Sequence, residues 1–488
     1  MPVRRREYAA LRVTSSFARR RFATLAALLA LALPATALAA PAKHNSGQKV
    51  PNALQPGVLT QLPGARGCLV DRTAPTKGCG TARALEGPGP FMGSRAIAVS
   101  ADGKNAYVAS SRSNAVAVFR RNPKTGALGQ PSGTSGCVAA KGAFECGKAV
   151  GLNGPNSVAV SPNGRNVYVT SRGSNAVTAF QRNRSTGALR QLPGAAGCVS
   201  GVPLPGCATG TALLGPDVVV VSPDGKNVYV GSFFGNAVAI FNRDSSSGAL
   251  SQPSGNAGCI AVATSGCAVG LALGAPEGLA ISGNGKSVYV ATALSSAAVV
   301  LGRDPSTGAL TQATDGSGCI VNVALTGCTV GLELNGANAV AVSPEDDDAY
   351  VTSLFSNSVT SFARLPVSGN LVQKEGTTGC LVWLRAVGCS FDRALSSPEG
   401  LAVSPDGANV YVAAFATGAI DVLERNSSSG AVVQMPGRPG CLAPRSVPGC
   451  TQARALRGVS SIALSPNGRY LYSTSFGSNA VDIFRRNK

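Results

Sequence analysis

The chain predicts an all-β fold, a seven-bladed β-propeller with four antiparallel strands per blade, and three observations carry that expectation. Fourteen cysteines fall in seven pairs at a period close to 61 residues. Each period holds four short β-rich runs separated by turn residues. The chain ends after the third run of the seventh period, while a matching fourth run stands near its start. Composition agrees: Gly 60 and Pro 30 in 488 residues, with only 14% charged residues, suit short strands and tight turns. Long amphipathic helices and coiled coils are excluded. A hydrophobic content of 44% excludes disorder, because enough apolar area can be buried to offset the ordering entropy. His44 is the single histidine and sits in linker-like sequence. Mechanisms that need a His base or His metal ligand in the folded body, such as most triad hydrolases and zinc enzymes, are therefore removed.

Taken in order, residues 1–40 read as an export signal. Seven Arg face one Glu, the apolar run Leu25 to Leu38 follows, and small residues end at Ala39-Ala40 before Pro41. The run is too short for a membrane span and contains Pro34. Arg19-Arg20-Arg21-Phe22 resembles the twin-arginine export pattern. Residues 41–56 are expected as a flexible linker and 57–488 as the propeller. With no later apolar stretch of spanning length, the product is expected to be a monomer without transmembrane anchor, secreted or held in the periplasm or cell envelope. Subtracting the leader's +6 (seven Arg, one Glu) from the formal +20 leaves +14, a bias toward anionic partners. The basic residues are dispersed and aromatics few, so no specific nucleic acid is expected.

The cysteine pairs are Cys68/Cys79, Cys137/Cys146, Cys198/Cys207, Cys259/Cys267, Cys319/Cys328, Cys380/Cys389 and Cys441/Cys450. An even count in an exported chain reads as disulfides. Bridging within a pair closes a small loop and contributes roughly 2–3 kcal/mol on the chain-entropy model. Bridges between neighbouring repeats obey the same symmetry. Soft-metal binding lacks both C-x2-C spacing and spare histidines.

One repeat shows the blade. Ser157–Ser161, Asn166–Thr170, Ala176–Phe180 and Ala188–Gln191 are four β-rich runs, here strands a, b, c and d. Asp-Gly or Asn-Gly marks the a–b turn six times, as at Gly164, supplying the positive φ such hairpins require. Gly57-Val-Leu-Thr-Gln61-Leu-Pro-Gly64 matches Gly187-Ala-Leu-Arg-Gln191-Leu-Pro-Gly194. The N-terminal strand should therefore complete the last blade and remove an open sheet edge.

Ser-Pro-Asp-Gly-Lys-Asn-Val-Tyr-Val at 222–230, followed by Gly235-Asn236-Ala237-Val238, resembles the YVTN-type repeat of lactonase-like seven-bladed propellers, over residues 58–488. The resemblance implies the architecture. For activity it implies either sugar-lactone hydrolysis or a surface-layer or binding role. The chain departs from it in its Gly-Cys loop insert and in lacking a propeller histidine.

Comparing the repeats with one another separates scaffold from candidate site. Arg121, Arg182, Arg243, Arg303, Arg364, Arg425 and Arg486 follow strand c at one offset and are expected to pair with backbone carbonyls or turn carboxylates in every blade. The run Glu345-Asp346-Asp347-Asp348 reads as a solvated turn tip. Five residues before each a-strand serine the repeats differ: Arg95, Asn156, Asp217, Glu277, Asn338, Glu399 and Ser460. These are expected to converge at the channel mouth, where Asn156, Asp217, Glu277, Asn338 and Glu399 form an oxygen-rich set suited to Ca²⁺. The b–c loops of the same face bring Arg112, Arg172, Phe233, Phe234, Leu354, Phe355, Phe415 and Phe476. With Arg95, these arginines and phenylalanines are the expected contacts for a carbohydrate, envelope polymer or protein. The leading expectation is a binding or interaction module. The alternative is a lactonase-type hydrolase with a divalent cation at the channel mouth.

Overall fold

The computed structural model describes residues 55–89, 95–444 and 447–488. The expected export signal, and the expected linker up to residue 54, lie outside them. Seven sheets follow one another along the chain, each built on three long antiparallel strands. In the second blade these are Pro155–Val160 (a), Asn166–Ser171 (b) and Ala176–Arg182 (c). Strand b is buried at all six positions, because blades pack against both of its faces, which explains why it reads as a near-continuous apolar run. Apolar clusters accordingly join neighbouring blades: Tyr168, Val177 and Val199 pack with Val219, Val228 and Phe241.

The outer half differs from the expected single strand d. Leu189–Gln191 pairs with one half of strand c and Cys198–Ser200 with the other, and Ala208–Thr209 then joins in parallel. Every sheet therefore has six strands. Between the two outer strands the turn Gly194–Gly197 lifts the chain off strand c and returns it. All seven disulfides join the two cysteines of one pair, with Cα separations of 4.7 Å at Cys198–Cys207 and 4.9 Å at Cys68–Cys79. Bridges between blades are absent among the described residues.

The recurring glutamine of strand d fastens each returning loop. Gln191 accepts a hydrogen bond from the Val150 N–H (2.8 Å) and donates to the Val150 carbonyl (3.0 Å) and the Gly197 carbonyl (3.1 Å). Its amide thus substitutes for a strand's backbone. At the closure Gln61 does the same with Arg454. Leu59–Gln61 pairs with Ala480–Arg486 in the register Leu59 to Arg486, and Cys68–Asp71 and Gly80–Ala82 complete the same sheet. The N-terminal segment supplies the whole outer half of the last blade, not one strand alone.

Tyrosine and arginine tie each blade to the next. The Tyr168 hydroxyl donates to the Gly248 carbonyl at 2.8 Å and accepts from Arg243 Nε at 2.7 Å. The same guanidinium donates to the Gly225 carbonyl and to Asn166 Oδ1. Tyr107, Tyr229, Tyr289, Tyr350, Tyr411 and Tyr472 repeat the tyrosine bonds. The arginine ring is scaffold, as expected. The acidic run is a solvated turn only in part: Glu345 and Asp347 are exposed, but Asp348 is buried, Arg425 pairs with Glu345, Asp347 and Asp348, and Arg364 pairs with Asp346.

Candidate functional site

A β-bulge opens strand a in six blades, and its extra residue is the variable one. The register shifts between Pro155 and Ser157, Pro216 and Val218, Pro276 and Gly278, Ala337 and Ala339, Pro398 and Gly400, and Val459 and Ser461. Asn156, Asp217, Glu277, Asn338, Glu399 and Ser460 occupy the bulges, where the ladder re-aims their side chains. All six are buried.

The first blade breaks the pattern. Pro88 bridges Ser110 as Pro155 bridges Ser171, so Gly89, not Arg95, is the counterpart of Asn156. The Ser460 hydroxyl accordingly donates to the Gly89 carbonyl at 3.1 Å. Arg95 re-enters beyond this point and lies in the central channel, where it donates to the Val340 carbonyl at 3.1 Å.

The bulge residues divide into two groups. Asn338 is committed to the fold, donating to the Pro398 carbonyl (2.9 Å) and accepting from the Thr352 hydroxyl (2.7 Å). Asp217 Oδ1 accepts from Asn156 Nδ2 at 2.5 Å and from Arg172 at 2.7 Å. Neither oxygen of Glu277 has a hydrogen-bond partner among the described residues. Burial pushes the Glu277 carboxyl well above the ordinary glutamate range, with the Asp217 charge adding to the effect, Arg172 opposing it and Glu399 adding further. Asp217 is also raised by burial, against the pull of Arg172. Unpaired buried carboxylates disfavour their own ionisation. Among the described residues no three His, Cys, Asp or Glu side chains are grouped to hold a metal ion. Both amides are engaged in hydrogen bonds and Arg172 is already at Asp217, and no chemistry is assigned to a cation here.

The b–c loop residues fall into three places. Arg172 stacks over Phe233 at 4.7 Å and Phe234 at 5.6 Å, and so covers the buried carboxylates. Phe355 stands 61% exposed beside Gly336, while Leu354 is buried. Arg112, Phe415 and Phe476 line one pocket of about 600 Å³ together with Thr417, Pro444, Arg457, Gly458 and Gly477. The Arg112 guanidinium lies 4.2 Å over the Phe476 ring. This leaves its N–H edges available to an anion. Sequence reasoning missed Arg457. It stands at the second residue before strand a, where the blades also vary among Asn153, Leu214, Gly274, Asn335 and Ser396. That second variable ring was the available signal.

Comparison with known proteins is decisive for the family. The family model described as lactonase, 7-bladed beta-propeller, matches residues 83–197, 203–321 and 276–447. The chain belongs to this family. A protein assigned as a 6-phosphogluconolactonase from Bacteroides uniformis is 19% identical over 76% of this chain and 88% of its own, with a TM-score of 0.52. Hydrazine synthase of Kuenenia stuttgartiensis is 17% identical over 82% of this chain and 97% of its own, at 0.50. Both likenesses are of fold. A search of curated proteins finds no match. No helix of the described residues is long and apolar enough to cross a membrane.

Proposed function

We propose that this lactonase-family propeller acts outside the cytoplasm as a binding module for an acidic carbohydrate, taken up in the Arg112–Arg457 pocket. One observation carries the reading: the pocket joins two guanidinium groups to the rings of Phe415 and Phe476 and, among the described residues, has no carboxylate or imidazole in its lining. Guanidinium forks hold carboxylate or phosphate in bidentate fashion, and aromatic faces receive the apolar face of a sugar ring. A group able to act as general base is missing from that set, which favours binding over turnover. Seven disulfides suit an oxidising compartment.

A second reading, lactone hydrolysis, is favoured by family membership and by the activity named for the Bacteroides protein, which concerns an acidic sugar lactone. It would draw on Glu277 as base, and Glu277 is covered by its own blade and by the Arg172 cluster. Calorimetry with gluconate, 6-phosphogluconate and glucose separates the readings when δ-gluconolactone hydrolysis is followed in parallel. The expected result is 1:1 binding of the acids, little affinity for glucose, and loss of at least about tenfold in affinity on Arg112→Met or Arg457→Met. Equal affinity for glucose, or no loss in the variants, overturns the binding reading. Enzymatic turnover abolished by Glu277→Gln would establish the second.

A further inference from the structure

The central channel is a second cavity of a different chemical character. It encloses about 550 Å³ between the seven a strands. Six residues per strand at about 3.3 Å each make it about 20 Å long. Its wall is largely aliphatic, with Val99, Val160, Val221, Ile281, Val342 and Leu464 among the lining residues, and Ser161, Ser461, Arg95 and Glu399 are its polar members. Prolines and small residues of the a–b turns, such as Pro162 and Pro223, rim one end, and Arg95 and Glu399 stand at the other.

An apolar lumen is poor accommodation for water, since a water needs two to four polar partners that this wall does not offer. Arg95 is the exception. Its guanidinium makes one hydrogen bond, to the Val340 carbonyl, and no ion pair among the described residues. Burial disfavours its charge, which no carboxylate within ion-pair distance compensates among the described residues. The fork stands in the channel lining with donors to spare. A ligand with an anionic head and an extended apolar tail would answer both deficits at once.

We infer that the channel is a binding site for a medium-length alkyl carboxylate, its head on Arg95 and its chain along the apolar lumen toward the a–b turn face. The pocket of the b–c face plays no part in this site, so the two sites are separable. Arg95 sets the sign of the head group: an anion binds, and the Glu399 carboxyl in the same lining weakens it.

The test is calorimetry of the full chain with decanoate and with decanol at two temperatures, together with thermal unfolding of each variant. The expected result is 1:1 decanoate binding with a negative heat-capacity change. Affinity should fall at least about tenfold on Arg95→Met and for decanol, and should hold or rise on Glu399→Gln. Ala159→Phe, which fills the lumen beside Arg95, should abolish binding while the protein still unfolds cooperatively. Should that variant fail to fold, Ala402→Phe fills the lumen from another blade and is read in the same way. Binding unchanged in Arg95→Met, retained in a folded lumen-filled variant, or lost in Glu399→Gln overturns the proposal. So does an absence of decanoate binding, or a stoichiometry of many per chain, which marks detergent-like association.

Discussion

At the a–b turn face every blade presents the same tyrosine and the same arginine, bonded in the same way to the next blade, whereas at the b–c loop face the bulge that opens strand a carries Asn156, Asp217, Glu277, Asn338, Glu399 and Ser460 in turn. In the first region nearly every donor has an acceptor, Arg121 Nη2 being the exception among the described residues. The Arg182 fork meets the Tyr107 hydroxyl, the Gly164 carbonyl, Asp102 and Asn105. In the second, Glu277 has no hydrogen-bond partner for either oxygen among the described residues, and Asp217 has none for Oδ2. Identity across the repeats marks a group that serves the blade. Variation admits groups that do not: Asn338 and Ser460 still bond within the fold, but at Asp217 and Glu277 variation coincides with electrostatic cost.

The contrast is broken most severely at the closure, where one blade depends on a segment distant in sequence. A chain lacking residues 57–64 loses the pairing of Leu59–Gln61 with Ala480–Arg486, the Gln61 bonds to Arg454, and the Gly57 carbonyl that Tyr411 needs. Cooperative thermal unfolding should disappear or shift down by more than 10 °C, a cost on the order of 9 kcal/mol for a domain of this size, with aggregation through the bared strand. An unchanged transition and a monodisperse peak in size-exclusion chromatography would show that the segment only lies against a ring closed by other means.

A single latch is the next largest effect. Arg303 bonds the Tyr229 hydroxyl, the Gly285 carbonyl, Asp224 and Asn227. Arg303→Met leaves those acceptors unmatched and should cost about 3–5 kcal/mol, while Tyr229→Phe should cost about 1–3 kcal/mol. Denaturant unfolding measures both. Ligand affinity at the opposite face should not move, and a change there would refute the division of the molecule into scaffold and site. Between the sixth and last blades burial opposes ionisation of Asp406, but the Arg486 and Ser404 hydrogen bonds overcome it and bring the carboxyl down to about 2. Its folded-state value is depressed, so that latch contributes stability above the ordinary aspartate range and loses it only as pH falls toward about 2.

The scaffold was legible in the sequence because repetition averages out chance. The cysteine pairs and Arg243 each recur seven times and gave the blade and the role of the arginines, and the match of Gly57–Gly64 to Gly187–Gly194 gave the closure. The outer edge was less legible. Ala208–Thr209 is two residues long, too short for any β pattern to register, and the turn that divides strand d looks like ordinary loop sequence. At the site, counting back from a serine placed Arg95 in the bulge ring, although the first blade has extra residues between Pro88 and Arg95. The count was right in sequence and wrong in space. The aromatics were found, but their grouping was not: Phe476 with Arg112 and Phe233 with Arg172 form separate clusters, because b–c tips of different blades project at different points of the ring.

The smallest expected effect sharpens the comparison most. Glu277 is fully buried and its carboxyl is held above the usual range, first by burial and then by Asp217, so the folded protein keeps this proton where the unfolded chain has released it. A folded-state value raised in an acid means stability that is fully present at low pH and falls as pH rises through the ordinary glutamate value toward the folded one. Glu277→Gln cannot ionise and so removes that fall. Urea unfolding of both proteins at about pH 5 and about pH 8 should therefore give a gap that widens with pH in favour of the variant, by roughly 1–2 kcal/mol. The same substitution leaves the latches untouched, so cooperativity and the denaturant slope should stay as they are. Parallel pH profiles would mean that the Glu277 carboxylate has a partner in solution, and the bulge ring would then be as fully satisfied as the belt of tyrosines and arginines at the other face.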